Sequence, residues 1–438
     1  MLMRNFKERV WNPDRQGAVW LFLIGVFSLT QMRLGAKIGI SEVACCLVGP
    51  FLFLKNLPVY RRDGVLLFFN LLIFWMLGAL FSDFYNGSIF EQVIRGFSVP
   101  FTLFSVSVCV YHLLRRNPLN LKWILVGIAV SSVVSIFVFQ RGSAGDLAAE
   151  GDTVAAVEKV VGYKLFWANM IRTWLTLPIQ CWYLSVPAVF IYPVLMVVVV
   201  VNMFAGGRSL FAVSVLTVLL IFLGGKTERT IHAVRRRIPL LVVGVLCLVA
   251  LIKGAYSYAA QHGYLNEAET KKYQMQTVRG SDILSLLMSG RGDFFIGLMA
   301  ALDRPLVGHG SQAMDSYGYE RDFVVKYGTD EEIARFVAAE RAGYFRNIKG
   351  HSHIITYWMW HGIAGLLFWA YLLCVVVQTV WRRLGFIPEW FGYLAITIPM
   401  FLWDFFFSPL GMRVMESVCY CALLVLLRID RLRKGGVR

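Results

Sequence analysis

The apolar residues of this chain are gathered into long uninterrupted runs, and the length of those runs leaves few folds open. About 20 consecutive apolar residues carry a helix across a bilayer. Runs of that kind recur from near residue 17 to near residue 427. Of the 438 residues 58% are hydrophobic and 16% charged, against about 45–50% and about 25% in a soluble domain. The runs are continuous rather than alternating, which argues against a membrane β-barrel. The expectation is an all-α polytopic membrane protein.

Spans are expected near 17–33, 38–54, 64–81, 97–114, 121–139, 164–184, 186–204, 209–225, 238–256, 352–381, 388–407 and 410–427. That makes about twelve transmembrane helices in three parts. Residues 1–256 carry the first nine, 257–350 form one large loop with amphipathic helices, and 351–438 carry the last three and a basic tail. The spans 164–184 and 186–204 are the least regular, because Pro178, Pro187 and Pro193 interrupt them. Prolines are tolerated in lipid where neighbouring helices satisfy the freed carbonyls.

A net charge of +16 could suggest nucleic acid, but its distribution excludes that reading. The basic residues fall in alternate short loops, as Lys55/Arg61/Arg62, Arg115/Arg116/Lys122, Lys226/Arg229/Arg235, Arg382/Arg383 and the tail from Arg428. This is the positive-inside pattern of a multi-pass protein, and it puts both termini on the cytoplasmic side, against membrane lipid headgroups. The polar start with Arg4, Lys7, Arg9 and Arg15 agrees with this and does not read as a cleavable signal peptide. All eight cysteines lie in apolar segments, so no disulfide framework is expected in the large loop.

Three outer segments follow from this topology. The loop 82–96 carries Asp83, Glu91 and Arg95, the loop 140–163 is Gly-, Ala- and acid-rich, and the loop 257–350 is by far the longest. A loop of that length is functional or disordered. This one holds a helical apolar pattern at Phe295, Leu298, Met299 and Leu302, so a folded unit is expected. Ionisable residues inside spans are costly in lipid and mark function by default. Glu42, Arg172, Asp404, Arg413 and Glu416 all fall in the outer halves of their helices. A transporter would place such groups near the midplane; here they gather toward one face.

The most specific spacing is His351-Ser352, nine residues, then Gly362-x-x-Gly365, where the large loop meets an apolar helix. Upstream stand Ala205-Gly206-Gly207-Arg208-Ser209-Leu210, the Ser-Gly-Arg-Gly-Asp of 289–293 around Arg291, and Asp303-Arg304-Pro305-Leu306-Val307-Gly308-His309-Gly310. His351 is the candidate general base, since an imidazole of ordinary pKa accepts a proton near neutrality. Arg208 and Arg291 each follow glycine at the start of a helix. There the free N–H groups and a bidentate guanidinium suit phosphate. The alternatives are a capping histidine, a snorkelling Arg208 and a solvated loop arginine at Arg291. Arg95, Arg172, His353 and Arg413 are further candidates for substrate contact, with Arg172 and Arg413 equally placed to pair with Asp404 and Glu416. His351, His353 and His309 do not make a convincing metal set, and no cofactor is expected. Gly362 and Gly365 read as a close helix–helix contact. His351, Ile355, Trp358 and Gly362 share one helical face, and His361 lies off it.

Taken together, these motifs closely resemble the O-antigen ligase/polymerase superfamily, over roughly 160–385. The chain departs from that pattern in Ser352, where asparagine is commoner, and in His361, where many members carry an acid. The resemblance implies a GT-C-like fold with its loop domain in the periplasm of a bacterial inner membrane. It implies a metal-independent inverting glycosyltransferase, with undecaprenyl-diphosphate-linked glycan as donor and a lipid A–core sugar as acceptor. A polymerase, whose acceptor is another lipid-linked repeat, and a protein O-oligosaccharyltransferase would show the same motifs. A lipid-linked oligosaccharide flippase or transporter is the alternative of another class.

Overall fold

The computed structural model describes residues 15–28, 31–34, 36–137, 292–328, 330–341, 350–383, 388–407 and 413–435, together with 213–217, 257–264, 347–348 and the single positions 220, 243, 254 and 273. The described chain is predominantly helical. In order, α1 is Arg15–Val26, β1 Gln31–Leu34, β2 Ala36–Gly39, α2 Ile40–Lys55, α3 Leu57–Asp63, α4 Leu66–Tyr85, α5 Phe90–Arg116 and α6 Leu121–Phe137. These are followed by α7 Gly292–Asp303, α8 Tyr319–Tyr327, α9 Asp330–Arg341, α10 His353–Arg383, α11 Pro388–Phe407 and α12 Arg413–Gly435.

Among the described residues, three helices are long and apolar enough to cross a membrane: α4, α5 and the segment His353–Thr379 of α10. The pair α2 and α3 makes a fourth candidate when taken as one broken span; it is bent by 75° at Asn56, where Pro58 starts a new helix that the left-handed Gly64 ends. The chain is therefore membrane-embedded by the length and composition of its helices. The expected spans 164–184, 186–204, 209–225 and 238–256 lie wholly or mostly outside the described residues.

Small residues let these helices cross closely. A Cβ on Gly25 of α1 would stand 2.4 Å from the Ile124 carbonyl of α6, and one on Gly78 of α4 would stand 2.3 Å from the Ala364 Cβ of α10. Such close approach brings in dispersion and backbone contacts that lipid cannot replace. Around these crossings the core is aromatic. Trp75, Phe68, Phe69, Tyr111, Phe368, Trp369, Phe405 and Tyr420 are fully buried in one cluster.

The two ends of the bundle differ in charge. At one end Asp63, buried, accepts from Arg115 Nε at 2.7 Å and pairs with Arg428 Nε at 3.2 Å, and Tyr111 donates to it. This brings the C-terminal ends of α3, α5 and α12 together. At the other end lie the starts of α2, α5, α10 and α12 and the ends of α4 and α11. Two expectations change there. The end of the expected first span is replaced by the antiparallel hairpin β1–β2. The expected loop 82–96 is mostly helix: Asp83 is in the last turn of α4, and Glu91 and Arg95 are in the first turns of α5. Arg95 and Glu91 pair one turn apart, which offsets the cost of charge in that turn.

Candidate active site

The site is built around a break in α10. Gly362 has φ 60° and ψ −144° within an otherwise helical run, a conformation open to glycine. The break exposes backbone groups that an unbroken helix would use internally, and the segment 305–311 takes them. His309 N–H donates to the Met359 carbonyl at 2.8 Å, Gly310 N–H to that of Trp360 at 3.0 Å, and Ile363 N–H to that of Leu306 at 3.0 Å. The backbones approach so closely that a Cβ on Gly362 would stand 2.1 Å from the Leu306 oxygen, and one on Gly308 2.4 Å from that of Trp360. A second small core forms here from Ile296, Ala300, Ala301, Phe323, Ile348 and Met359. The expected helix–helix role of Gly362 and Gly365 is thereby corrected. Gly362 faces a loop, and a Cβ on Gly365 would meet the Tyr357 carbonyl of its own helix at 2.2 Å. The helix–helix contact belongs to Gly78.

His351 lies two residues before α10. Its φ of 40° makes it, with Gln312, one of two non-glycine residues with positive φ among the described residues. Backbone strain of this kind persists where surrounding structure imposes it, and it collects at functional sites. The shared helical face assigned to His351 and Gly362 is lost, because the chain is not helical at either residue. The His351 imidazole instead meets the first turn of α7, with Nδ1 3.1 Å from Asp293 Oδ2. Both side chains are nearly half exposed. A carboxylate at that distance can steady the imidazolium that forms when His351 takes up a proton, which suits a general base. Asp293 was missed in the sequence. It closes the Ser-Gly-Arg-Gly-Asp string, in which Arg291 is the residue with phosphate-binding chemistry.

The other candidates are placed as follows. Arg95 stands at the rim, donating to Gln312 Oε1 at 3.2 Å and paired with Glu91. Arg413 lies inside the bundle, with Nε 3.5 Å from Glu42 Oε1 on α2. His353 is fully buried, lies against the Trp369 ring and has Nε2 3.9 Å from Glu416 Oε1, which removes it from the surface a substrate reaches. Arg172, Arg208 and Arg291 lie outside the described residues. Ser352 accepts from Ile355 N–H and donates to the Phe405 carbonyl, which ties the start of α10 to α11.

On the segment that fills the break, His309 is buried and its Nε2 donates to the Ala300 carbonyl of α7 at 2.8 Å. Burial, with Arg304 nearby, pushes its pKa below the ordinary histidine value. Burial and the hydrogen bond that Tyr319 donates to Asp303 raise the Tyr319 phenol. Among the described residues no three His, Cys, Asp or Glu side chains come together as a metal set. No protein-family model, curated protein or solved structure matches the chain.

Proposed function

We propose that the chain is a membrane glycosyltransferase of the O-antigen ligase type. In this reading it moves a glycan from undecaprenyl diphosphate to a lipid A–core sugar at the periplasmic face of the inner membrane. The observation that carries the reading is the His351–Asp293 pair, exposed at the end of the bundle opposite the Asp63–Arg115–Arg428 cluster. Basic residues mark the cytoplasmic end, so the pair is assigned to the outer surface, at the level of the diphosphate of a lipid-linked donor.

The chemistry is one displacement. The acceptor hydroxyl gives its proton to His351 Nε2, and its oxygen attacks the anomeric carbon from the face opposite the diphosphate. The bond from that carbon to the diphosphate oxygen breaks, and undecaprenyl diphosphate leaves with the electron pair. The anomeric centre inverts. Asp293 stabilises the imidazolium until the proton passes to water. Arg208 and Arg291 are assigned the charge that develops on the leaving group, with Arg95 and Arg413 as substrate contacts of lower rank.

The test is reconstitution of the purified protein with undecaprenyl-diphosphate glycan and rough lipopolysaccharide, with and without a chelator. Glycan on the core is expected in both. Lengthening of the lipid-linked chain without transfer to core would replace the acceptor by a second lipid-linked repeat. Activity lost on chelation would sink the metal-independent displacement.

A further inference from the structure

A chain of hydrogen bonds runs between side chains that are all buried: Trp75, His361, Ser311 and Asp83. Trp75 Nε1–H can only donate, and it meets His361 Nδ1 at 2.8 Å. That fixes Nδ1 as the acceptor, so the proton of the ring is on Nε2. Nε2 then donates to Ser311 Oγ at 2.9 Å, and Ser311 Oγ–H donates to Asp83 Oδ2 at 2.7 Å. The Ser311 backbone N–H and the Ser88 hydroxyl donate to the other oxygen, Asp83 Oδ1, at 2.5 and 2.9 Å. The residue types suggest a serine nucleophile with its histidine, but the directions of the bonds exclude it. His361 turns an N–H, not a lone pair, toward Ser311, and so has no means of taking its proton.

What the chain does is bind elements together. Asp83 is on α4, Ser311 on the segment that fills the break in α10, and His361 in the last turn before that break. Gly96 of α5 makes room, since a Cβ there would stand 1.7 Å from Ser311 Oγ. Ser82 donates to the Trp360 carbonyl and Asn86 to that of Gly308, alongside. The same segment holds α7 through the His309–Ala300 bond. Both elements that carry the reacting pair are thus tied to Asp83, α7 with Asp293 and α10 with His351 before it.

We propose that Asp83 is a positioning residue, which through Ser311 and His361 sets the separation of His351 from Asp293. The inference rests on the reading of His351 as the general base. A misplacement of about 1 Å in a reacting group can cost about 10²-fold in rate. Asp83→Asn keeps an acceptor for the Ser311 amide but offers an N–H to a hydroxyl that needs an acceptor. It is expected to lower kcat by about 10²-fold with donor KM unchanged. Ser311→Ala, a smaller change that cuts the same link, is expected to do the same in part. In an Asp293→Asn background, Asp83→Asn is expected to add little, because both act on one base. A purely structural role would multiply the two losses in that cycle, and that result, or an unchanged kcat, overturns the proposal. If the wild-type protein transfers no glycan, or His351→Ala is fully active, the functional reading has failed on its own account. Hydrogen exchange in Asp83→Asn then decides. Faster exchange at both 308–312 and the first turn of α7 supports positioning; a change confined to 308–312 overturns it.

Discussion

His351 Nδ1 and Asp293 Oδ2 stand 3.1 Å apart, although one precedes α10 and the other opens α7. Loss of a positioned general base costs about 10²–10⁴-fold in rate. His351→Ala is therefore expected to lower kcat for glycan transfer by that factor at saturating donor. Asp293→Asn keeps the shape of the side chain but not the charge that steadies the imidazolium, so its loss is expected to be smaller. Initial rates with a purified lipid-linked glycan check both. Near-normal turnover of His351→Ala across pH 6–8 would remove the base from His351.

The two glycines Gly362 and Gly87 separate strain from collision. Both have positive φ, but a Cβ on Gly87 meets nothing within 4 Å, whereas one on Gly362 meets Leu306 at 2.1 Å. Gly87→Ala is expected to cost about 1–2 kcal/mol, the cost of the left-handed backbone alone. Gly362→Ala is expected to cost more and to undock the 305–311 segment. Unfolding of both variants in the same detergent, with proteolysis of that segment, compares them directly.

Buried His309 gives a pH dependence with a definite sign. Its folded pKa is lowered by burial and by Arg304, so below about 6.5 the unfolded chain takes up a proton that the folded chain refuses. Stability from this residue is complete above that value and is lost as pH falls toward the lowered folded pKa. His309→Gln, which still offers an N–H to the Ala300 carbonyl, is expected to narrow the fall in unfolding midpoint between pH 7 and pH 5. An unchanged difference between the two proteins across that range would contradict the assignment.

At the opposite end, Asp63 neutralises two arginines, and each of the three residues comes from a different helix. Removing one partner of a buried ion pair costs about 3–5 kcal/mol, because a buried charge is left behind. Asp63→Asn is expected to destabilise the bundle on that scale without changing donor KM. Thermal unfolding and steady-state kinetics on the same preparation check the two halves of that statement.

Helices α4 and α10 could be read in the sequence because apolar continuity is a local property, set by the neighbours along the chain. The start of α5 could not. Glu91, Gln92 and Arg95 look like loop residues until their partners are known, and those partners include Gln312, far along the chain. His351 was found by spacing alone. Its helical face does not continue to Gly362, because a periodicity of 3.6 assumes an unbroken helix, and Gly362 interrupts it with φ 60°. Asp293 was out of reach for the same reason as Gln312: nothing near it in sequence announces a histidine. Likewise the sequence shows His361 only as a residue off the His351 face that stands where an acid is commoner. Only the positions of Trp75 and Ser311 reveal that its tautomer is determined.

The break at Gly362 also decides where this molecule can be cut and rejoined. By composition the natural boundary is near Gly350, where polar chain gives way to apolar helix. Yet Met359 lies in the small core with α7 and α8, and the carbonyls of Met359 and Trp360 are bonded to the 309–310 backbone. A chimera joined at Gly350 would pair a foreign loop with half of its own docking surface. The transplantable module therefore runs from Gly292 to His361, and a recipient must match it at Trp75, Ser82, Asp83 and Asn86.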